Sequence, residues 1–193
     1  SMNDCAATCG DTVLLTSGLD GMTNAGTGGD GWRPTLTSDN LVFNLFHHQD
    51  ASKKPLMCID KNLSPPSACV VNGNSAFYPL QPFSGMVTNY TPKLAAIGSK
   101  VYFVVQENNK VGLGCWDGST HSPCGLVPLE NYDYNNKKEQ YTRLDGPEVI
   151  GNQLFMWGDN GRVYCVSGTL QTCTGYPKDS ALKGVHDMTA VGG

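Results

Sequence analysis

The chain has 193 residues, a formal net charge of −4 at pH 7, 23 glycines and 11 prolines, and only 16% of its residues are charged. This balance favours short strands joined by tight turns over helices. The negative charge, with no cluster of basic side chains to offset it, argues against nucleic-acid binding. No apolar run approaches the roughly 20 residues that a membrane-spanning helix needs, so we expect no membrane insertion.

A glycine-rich stretch, 20–31, comes before the first predicted strands. Its oxygen-bearing side chains, Asp20, Asn24 and Asp30, make calcium an alternative to a plain surface loop. The spacing is not that of an EF-hand, which needs acidic residues at every second position and a terminal Glu. The surface loop is therefore the favoured interpretation.

Three later stretches each predict a β-hairpin. In each, two runs of β-branched and aromatic residues flank a turn, which is the pattern of paired antiparallel strands. In chain order the predicted strand pairs are 41–46 with 56–59, 101–106 with 111–116, and 154–157 with 163–166.

The hairpins belong to a repeat. After each hairpin comes a Cys, a short polar loop, a second Cys and a proline, and the pattern recurs about every 50 residues. Several short strands per unit at that period predict an all-β, propeller-like array of antiparallel sheets in one domain. The predicted units are 33–80, 94–129 and 147–178, with part-units at 1–32 and 179–193.

The part-units leave two arrangements open. The chain forms a small four-unit ring, closed by pairing 12–15 with 189–191, or it is a fragment of a larger propeller. We expect the ring, because open sheet edges invite aggregation.

The eight cysteines fall into close pairs whose spacings do not match those of zinc knuckles, so disulfides are favoured over a metal site. Because a pair recurs at the same place in each unit, we expect bonds within units. Persistent disulfides indicate an oxidising compartment, and we predict an extracellular or cell-surface protein. The first pair closes so short a loop that another partner for one of its members stays open. The pairs are Cys5/Cys9, Cys58/Cys69, Cys115/Cys124 and Cys165/Cys173.

The turns resemble the repeats of quinoprotein-like (PQQ-type) β-propellers, in which an apolar pair leads to Asp and a Thr-Gly turn. The likeness is carried by Ile59-Asp60, Trp116-Asp117 with Ser119-Thr120, and Gly161-Arg162-Val163-Tyr164. The third unit has Ser167 where that family has Asp, and no unit has the Thr-Gly pair in place. The resemblance implies the fold alone. No quinone-cofactor or metal-ligand residue of the family matches a position here, so we expect no cofactor.

No catalytic constellation stands out. Adjacent residues in a strand point to opposite faces, so His47 and His48 do not suit a single metal, and His121 and His186 are lone histidines in turn-like sequence. Nothing in the sequence pairs two carboxylates as glycoside hydrolysis requires. No nucleophile elbow or phosphate loop occurs. The sequence leans away from an enzyme. The acidic residues considered are Asp117, Asp133, Asp145, Glu148 and Asp159.

Aromatic residues in loops are the remaining indication of function. The segment 131–141 combines polar residues with tyrosines, which suits sugar stacking or protein contacts; its candidate binding residues are Asn131, Tyr132, Tyr134 and Tyr141. Trp116 and Trp157 are expected to pack between sheets instead.

We therefore expect a non-catalytic binding or adhesion module that recognises a glycan or a protein partner at a cell surface through its inter-strand loops. The alternatives are a fragment of a propeller enzyme (a glycoside hydrolase or quinoprotein-type dehydrogenase) and a purely structural repeat of a large surface protein.

Overall fold

The computed structural model describes residues 35–45, 56–64, 67–69, 77–78, 93–107, 110–131, 144–158 and 160–181. Throughout these ranges the regular structure is strand, arranged in three antiparallel sheets, and no helix able to cross a membrane is found in them. The predicted all-β class is confirmed for this part of the chain.

Sheet 1 is the least regular of the three. Its strands are β1 (Thr35–Leu36), β2 (Leu41–Leu45), β3 (Leu56–Asp60), β4 (Ser67–Ala68) and β5 (Phe77–Tyr78). Both β4 and β5 pair with β3, at opposite ends of that strand, so together they occupy the place of a single fourth strand.

Sheets 2 and 3 are four-stranded meanders in which each strand pairs with the next along the chain. Short turns account for this connectivity everywhere except between β12 and β13, which residues 168–177 join, since antiparallel neighbours can be joined by a few residues. Sheet 2 contains β6 (Leu94–Ile97), β7 (Lys100–Glu107), β8 (Lys110–Asp117) and β9 (Ser122–Asn131), and sheet 3 contains β10 (Leu144–Ile150), β11 (Gln153–Gly158), β12 (Arg162–Ser167) and β13 (Lys178–Asp179).

Two features of these sheets differ from the expectation. The fourth strands were not predicted. One of them, β9, has 10 residues, and no strand in the described residues is longer. Its prolines, Pro123 and Pro128, read as loop residues, but an edge strand accepts proline because one side of it needs no ladder hydrogen bonds. Sheet 3 also begins at Leu144, before the predicted unit boundary at 147, because β10 continues through a bulge between Asp145 and Glu148.

The sheets pack face to face in chain order. Along β7 the buried side chains alternate, as a strand requires. Val101, Phe103 and Val105 belong to an apolar cluster shared with sheet 1, and Tyr102 and Val104 belong to one shared with sheet 3. Successive antiparallel sheets packed in this way are the arrangement of propeller blades. The segments 12–15 and 189–191, on which the predicted ring depends, lie outside the described residues.

We call the side of a sheet that is directed toward the next sheet along the chain its forward face. Phe43 of β2 lies across from Cys58 of β3 on the forward face of sheet 1, and Tyr102 lies across from Cys115 on that of sheet 2. In sheet 3 the equivalent pair is Phe155 and Cys165. The repeat in the sequence thus corresponds to a repeat in packing.

Three disulfides join the third strand of a sheet to the segment that follows it. These bonds match the predicted pairs, and the bridges of sheets 1 and 2 belong to the apolar clusters between sheets. The Cα–Cα distances are 5.4 Å for Cys58–Cys69, 5.1 Å for Cys115–Cys124 and 5.3 Å for Cys165–Cys173. Cys5 and Cys9 lie outside the described residues.

Asp60 and Asp117, which carry part of the family resemblance, are the last residues of the third strand in sheets 1 and 2. The Asp60 carboxylate accepts the backbone N–H of Asn62 at 2.8 Å, and that of Asp117 accepts the N–H of Ser119 at 2.9 Å. Side chains of this kind stabilise tight turns by bonding to backbone two residues ahead. Ser167 takes the same place in sheet 3, where its hydroxyl accepts the N–H of Gln171 at 3.2 Å.

Glycines in two of these turns allow the sheets to approach closely. A Cβ on Gly118 would lie 3.2 Å from Leu41 Cδ1 of sheet 1, and a Cβ on Gly168 would lie 3.3 Å from Ile97 Cδ1 of sheet 2. Both distances are shorter than an ordinary carbon–carbon contact, so a larger residue would push the sheets apart.

Candidate functional site

The structure places part of the predicted binding segment. Asn131 is the last residue of β9, where it pairs with Lys110 in the ladder with β8. The rest of the connection from β9 to β10, with Tyr132, Tyr134 and Tyr141, lies outside the described residues, as do the predicted calcium ligands Asp20, Asn24 and Asp30. The described part of the site is therefore the end of β9 from which this connection starts.

A polar cluster surrounds that end of β9. The Glu130 carboxylate accepts hydrogen bonds from the Arg162 guanidinium, at 2.9 Å, and from the Tyr164 hydroxyl. Arg162 Nε also donates to the Asp179 carboxylate at 3.3 Å. We call Glu130, Arg162, Tyr164 and Asp179 the Glu130 cluster; it joins the last strand of sheet 2 to the last two strands of sheet 3.

Strand geometry explains how these side chains meet. Arg162 and Tyr164 are two residues apart on β12, so both point to the same side of sheet 3. Tyr164 belongs to the apolar cluster between sheets 2 and 3, which fixes that side as the one facing sheet 2. Asp179 pairs with Arg162 in the ladder between β12 and β13 and reaches it from the neighbouring strand.

Within the Glu130 cluster, Tyr164 is buried and Asp179 is exposed. Burial raises the pKa of the Tyr164 phenol above its ordinary value, and the hydrogen bond to Glu130 raises that pKa further, so the phenol remains a donor at neutral pH. Hydrogen bonds to Glu130 and Asp179 raise the pKa of Arg162. The Asp179 side chain is 88% exposed, so its pairing with Arg162 is a surface ion pair of small energetic value.

This arrangement suits positioning rather than reaction. The phenol is held protonated, and the Glu130 carboxylate is occupied by two donors. The cluster anchors the final residues of β9 to sheet 3 and so fixes the point from which the connection to β10 leaves the sheet.

A second polar cluster lies at the first strands. Lys93, which comes directly before β6, forms a 2.6 Å ion pair with Glu148 of β10, and the two side chains are only 10% and 22% exposed. The Lys93 ammonium also lies 5.9 Å from the centre of the Trp157 ring. Asp145, buried, pairs with Trp157 in the ladder between β10 and β11. This cluster links sheets 2 and 3 on the first-strand side.

The structure also places two other residues that the sequence offered as candidates, Asp117 and His121. Burial raises the pKa of Asp117, but hydrogen bonds from Ser119 and Ser99 outweigh this effect and leave it below its ordinary value. His121 lies in the turn before β9 with a φ of 51°. No group of three or more His, Cys, Asp and Glu side chains in the described ranges is arranged to hold a metal. Asp133, Asp159, His47, His48 and His186 are outside those ranges.

The two tryptophans behave differently. Trp116 is buried in the cluster between sheets 1 and 2, as predicted. Trp157 is also buried, but it belongs to neither of the two clusters between sheets. Leu154 and Met156 of β11 face sheet 2. Because Trp157 directly follows Met156, its side chain points to the opposite side, which is the forward face of sheet 3.

The Glu130 cluster was not found from the sequence. Glu130 and Arg162 are 32 residues apart and belong to different units, so only the packing of sheet 2 on sheet 3 brings them together. The sequence signal was the Arg-x-Tyr pattern after an Asn-Gly turn, which places a cation and a phenol on one face of a strand.

Comparison with known proteins identifies no family for the chain. No protein-family model matches the chain, and no curated protein matches it. Among solved structures, the chain is similar to the crystal structure of BamB from Moraxella catarrhalis, with 14% sequence identity and a TM-score of 0.46. That match covers 84% of this chain and 40% of the BamB chain, so the chain spans less than half of that protein's length.

Proposed function

We propose that the chain is an extracellular, non-catalytic binding module, and that the connection from β9 to β10 is its binding segment. The partner is a glycan or a protein at a cell surface. The observation that carries the proposal is the Glu130 cluster, which anchors to sheet 3 the strand from which this tyrosine-rich connection leaves.

The location of the cluster suits recognition. A binding loop is most effective when its ends are fixed, because less conformational freedom is then lost on binding. Tyr132, Tyr134 and Tyr141 supply rings for stacking on sugars or for protein contacts, and Asn131 supplies an amide for hydrogen bonds. The three disulfides support an oxidising environment, of the kind found outside cells.

The test compares the chain with a variant in which Tyr132, Tyr134 and Tyr141 are all changed to Ala. Both proteins are applied to an array of defined oligosaccharides and to immobilised cell-surface proteins. We expect binding to fall at least about tenfold in the variant, in keeping with the loss of aromatic contacts. Leu63→Ala is the control, because Leu63 is exposed and belongs to sheet 1. It lies in the turn after β3, at the end of that sheet opposite to the β2–β3 connection.

Three outcomes contradict the proposal. Binding that the triple variant keeps in full places the site elsewhere. Absence of binding on both surfaces favours a purely structural repeat, and release of a cleaved sugar from the array, followed by mass spectrometry, favours an enzyme.

A further inference from the structure

The turn between β11 and β12 contains a chemically reactive dipeptide. Asn160 is exposed in this turn and is followed by Gly161, whose φ of 83° lies in the region that favours glycine. The side-chain amide of an asparagine that precedes glycine is open to attack by the backbone nitrogen of that glycine, because no Cβ shields the nitrogen. The turn therefore has the elements of a spontaneous modification site.

The reaction needs only water. The Gly161 nitrogen gives up its proton and bonds to Cγ of Asn160, and the bond from Cγ to Nδ2 breaks as ammonia leaves. Water then opens the cyclic imide at either of its carbonyl carbons. One product is aspartate. The other is isoaspartate, in which the main chain runs through Cβ and Cγ and is one methylene longer. In sum, one water is consumed and one ammonia is released.

Two hydrogen bonds oppose this reaction in the folded turn. The Gly161 N–H donates to the Gly158 oxygen at 2.9 Å, and Asn160 Oδ1 accepts the backbone N–H of Arg162 at 2.9 Å. The Gly161 nitrogen cannot reach Cγ while both bonds are intact. The turn must therefore open first, and opening an exposed turn costs much less free energy than unfolding the whole sheet.

The same turn supports the Glu130 cluster. Arg162 and Tyr164, which both bond to Glu130, follow Asn160 by two and four residues on β12. Burial and the bond to Glu130 raise the pKa of the Tyr164 phenol, and a hydrogen bond from the Asn160 side chain opposes them. Asn160 thus contacts both of the β12 residues that hold Glu130.

Isoaspartate does not fit this turn. The side-chain carbonyl of Asn160, which accepts from Arg162, becomes part of the main chain, and the added methylene displaces Gly161. Gly161 is also tied to the segment at β13, because its oxygen accepts the N–H of Ser180 at 2.7 Å. The longer chain therefore changes the start of β12, where Arg162 is placed.

We propose that Asn160 is converted slowly to isoaspartate in the folded protein, and that this conversion detaches Arg162 and Tyr164 from Glu130. The end of β9 then loses its connection to sheet 3. Because ammonia is lost, water alone does not restore the asparagine, and the change is one-way. Its effect on ligand binding rests on the proposed function, in which β9 anchors the binding segment.

The first experiment measures the rate of conversion. The intact chain is kept at mildly alkaline pH with and without urea, and peptide mapping with isoaspartyl methyltransferase labelling quantifies isoaspartate at position 160. We expect conversion in the folded protein to be about tenfold to a hundredfold slower than in urea, because the turn must open. Asn72-Gly73, the other Asn-Gly dipeptide of the chain, is the reference for the rate in urea.

Two results of this experiment overturn the proposal. Equal rates with and without urea would show that the folded turn does not restrain the reaction. A folded protein that keeps Asn160 far beyond the expected range would show that the site is not modified.

The second experiment measures what the conversion does to the fold. The isoaspartate form, separated from the unmodified chain by its additional negative charge, should have a Tm lower by roughly 4–8 °C. Asn160→Asp is the matched control, with the same charge and an unchanged main chain. Its carboxylate is able to accept the Arg162 N–H as that of Asp117 accepts the N–H of Ser119, so its Tm should stay within about 2 °C of the unmodified protein.

A variant without the cluster tests the connection to Glu130. In Glu130→Gln, Tyr164→Phe, conversion at position 160 should lower Tm by only about half as much, because the contacts that it breaks are already weakened. An equal loss in this variant, an unchanged Tm of the isoaspartate form, or an equal loss in Asn160→Asp overturns the proposal. No ligand is present in these measurements, so failure here is distinguishable from failure of the proposed function.

Discussion

Two buried tyrosine hydroxyls connect sheet 2 to sheet 3. Tyr102 of sheet 2 donates to the Gly168 oxygen, and Tyr164 of sheet 3 donates to the Glu130 carboxylate. In both cases burial is the first cause that raises the phenol pKa above its ordinary value. The two sheets are therefore held together by groups that function as donors only while they are protonated.

This arrangement predicts a loss of stability at alkaline pH. A phenol whose pKa is higher in the folded state than in the unfolded state contributes stability that is complete below the unfolded pKa, about 10, and is lost as pH rises through the folded pKa. Urea unfolding between pH 8 and 11 should show the free energy of unfolding falling above pH 10. The slope per tyrosine approaches about 1.4 kcal/mol per pH unit.

The double variant Tyr102→Phe, Tyr164→Phe should flatten this dependence. Tyr176→Phe is the matched control, because Tyr176 lies on the other side of sheet 3 against Phe155 and takes no part in the inter-sheet hydrogen bonds. If the double variant and the control lose stability with the same slope, these two phenols are not the cause.

Within each sheet the disulfide ties the third strand to the segment that follows it, and in sheet 2 that segment is the outermost strand. Cys115 lies on β8, while Cys124 lies near the start of β9, an edge strand whose two prolines weaken its ladder. The bridge restricts the unfolded chain and keeps β9 in register with β8. Strand propensity is low in these fourth strands, so a covalent link replaces part of what side-chain packing supplies elsewhere.

Removing one bridge should therefore cost measurable stability. The variant Cys115→Ala, Cys124→Ala opens a loop of sequence separation 9, for which the chain-entropy estimate gives about 2–3 kcal/mol. Cys165→Ala, Cys173→Ala, with a separation of 8, should lose a similar amount. The measurement is urea unfolding without reductant, and wild-type stability in both variants would show that the bridges do not contribute.

Element by element, the sequence predicted what depends on neighbouring residues. The β7–β8 and β11–β12 hairpins follow from runs of β-branched residues around turn residues, and the structure extends each of these strands by one residue at each end. β9 was missed because its prolines obscure the strand pattern. The Glu130 cluster depends on how sheets 2 and 3 pack, which no local pattern encodes.

At the scale of the whole molecule, the central part of sheet 2 is covered by a neighbouring sheet on both faces. One face contributes to the cluster with sheet 1 and the other to the cluster with sheet 3. Neither neighbour can lose its contact with sheet 2 without exposing apolar surface on both. The three sheets should therefore unfold as one cooperative unit.

A core substitution tests this cooperativity. Leu113→Ala, on the side of β8 that faces sheet 3, should cost about 2–5 kcal/mol. Circular dichroism and tryptophan fluorescence, to which Trp116 between sheets 1 and 2 contributes, should still report one shared transition. Leu63→Ala, in an exposed turn, should change stability by less than about 0.5 kcal/mol. Separate transitions for the two probes would show that the sheets unfold independently.

The burial of the cysteines also sets how a reductant meets the bridges. In sheets 2 and 3 the sulfur that a thiolate can approach is on Cys124 or Cys173, and the group it must displace is the thiolate of Cys115 or Cys165, within apolar surroundings. A charge formed there is poorly solvated, which makes it a slow leaving group. At Cys58–Cys69 both residues are buried, so attack waits until sheet 1 separates from sheet 2.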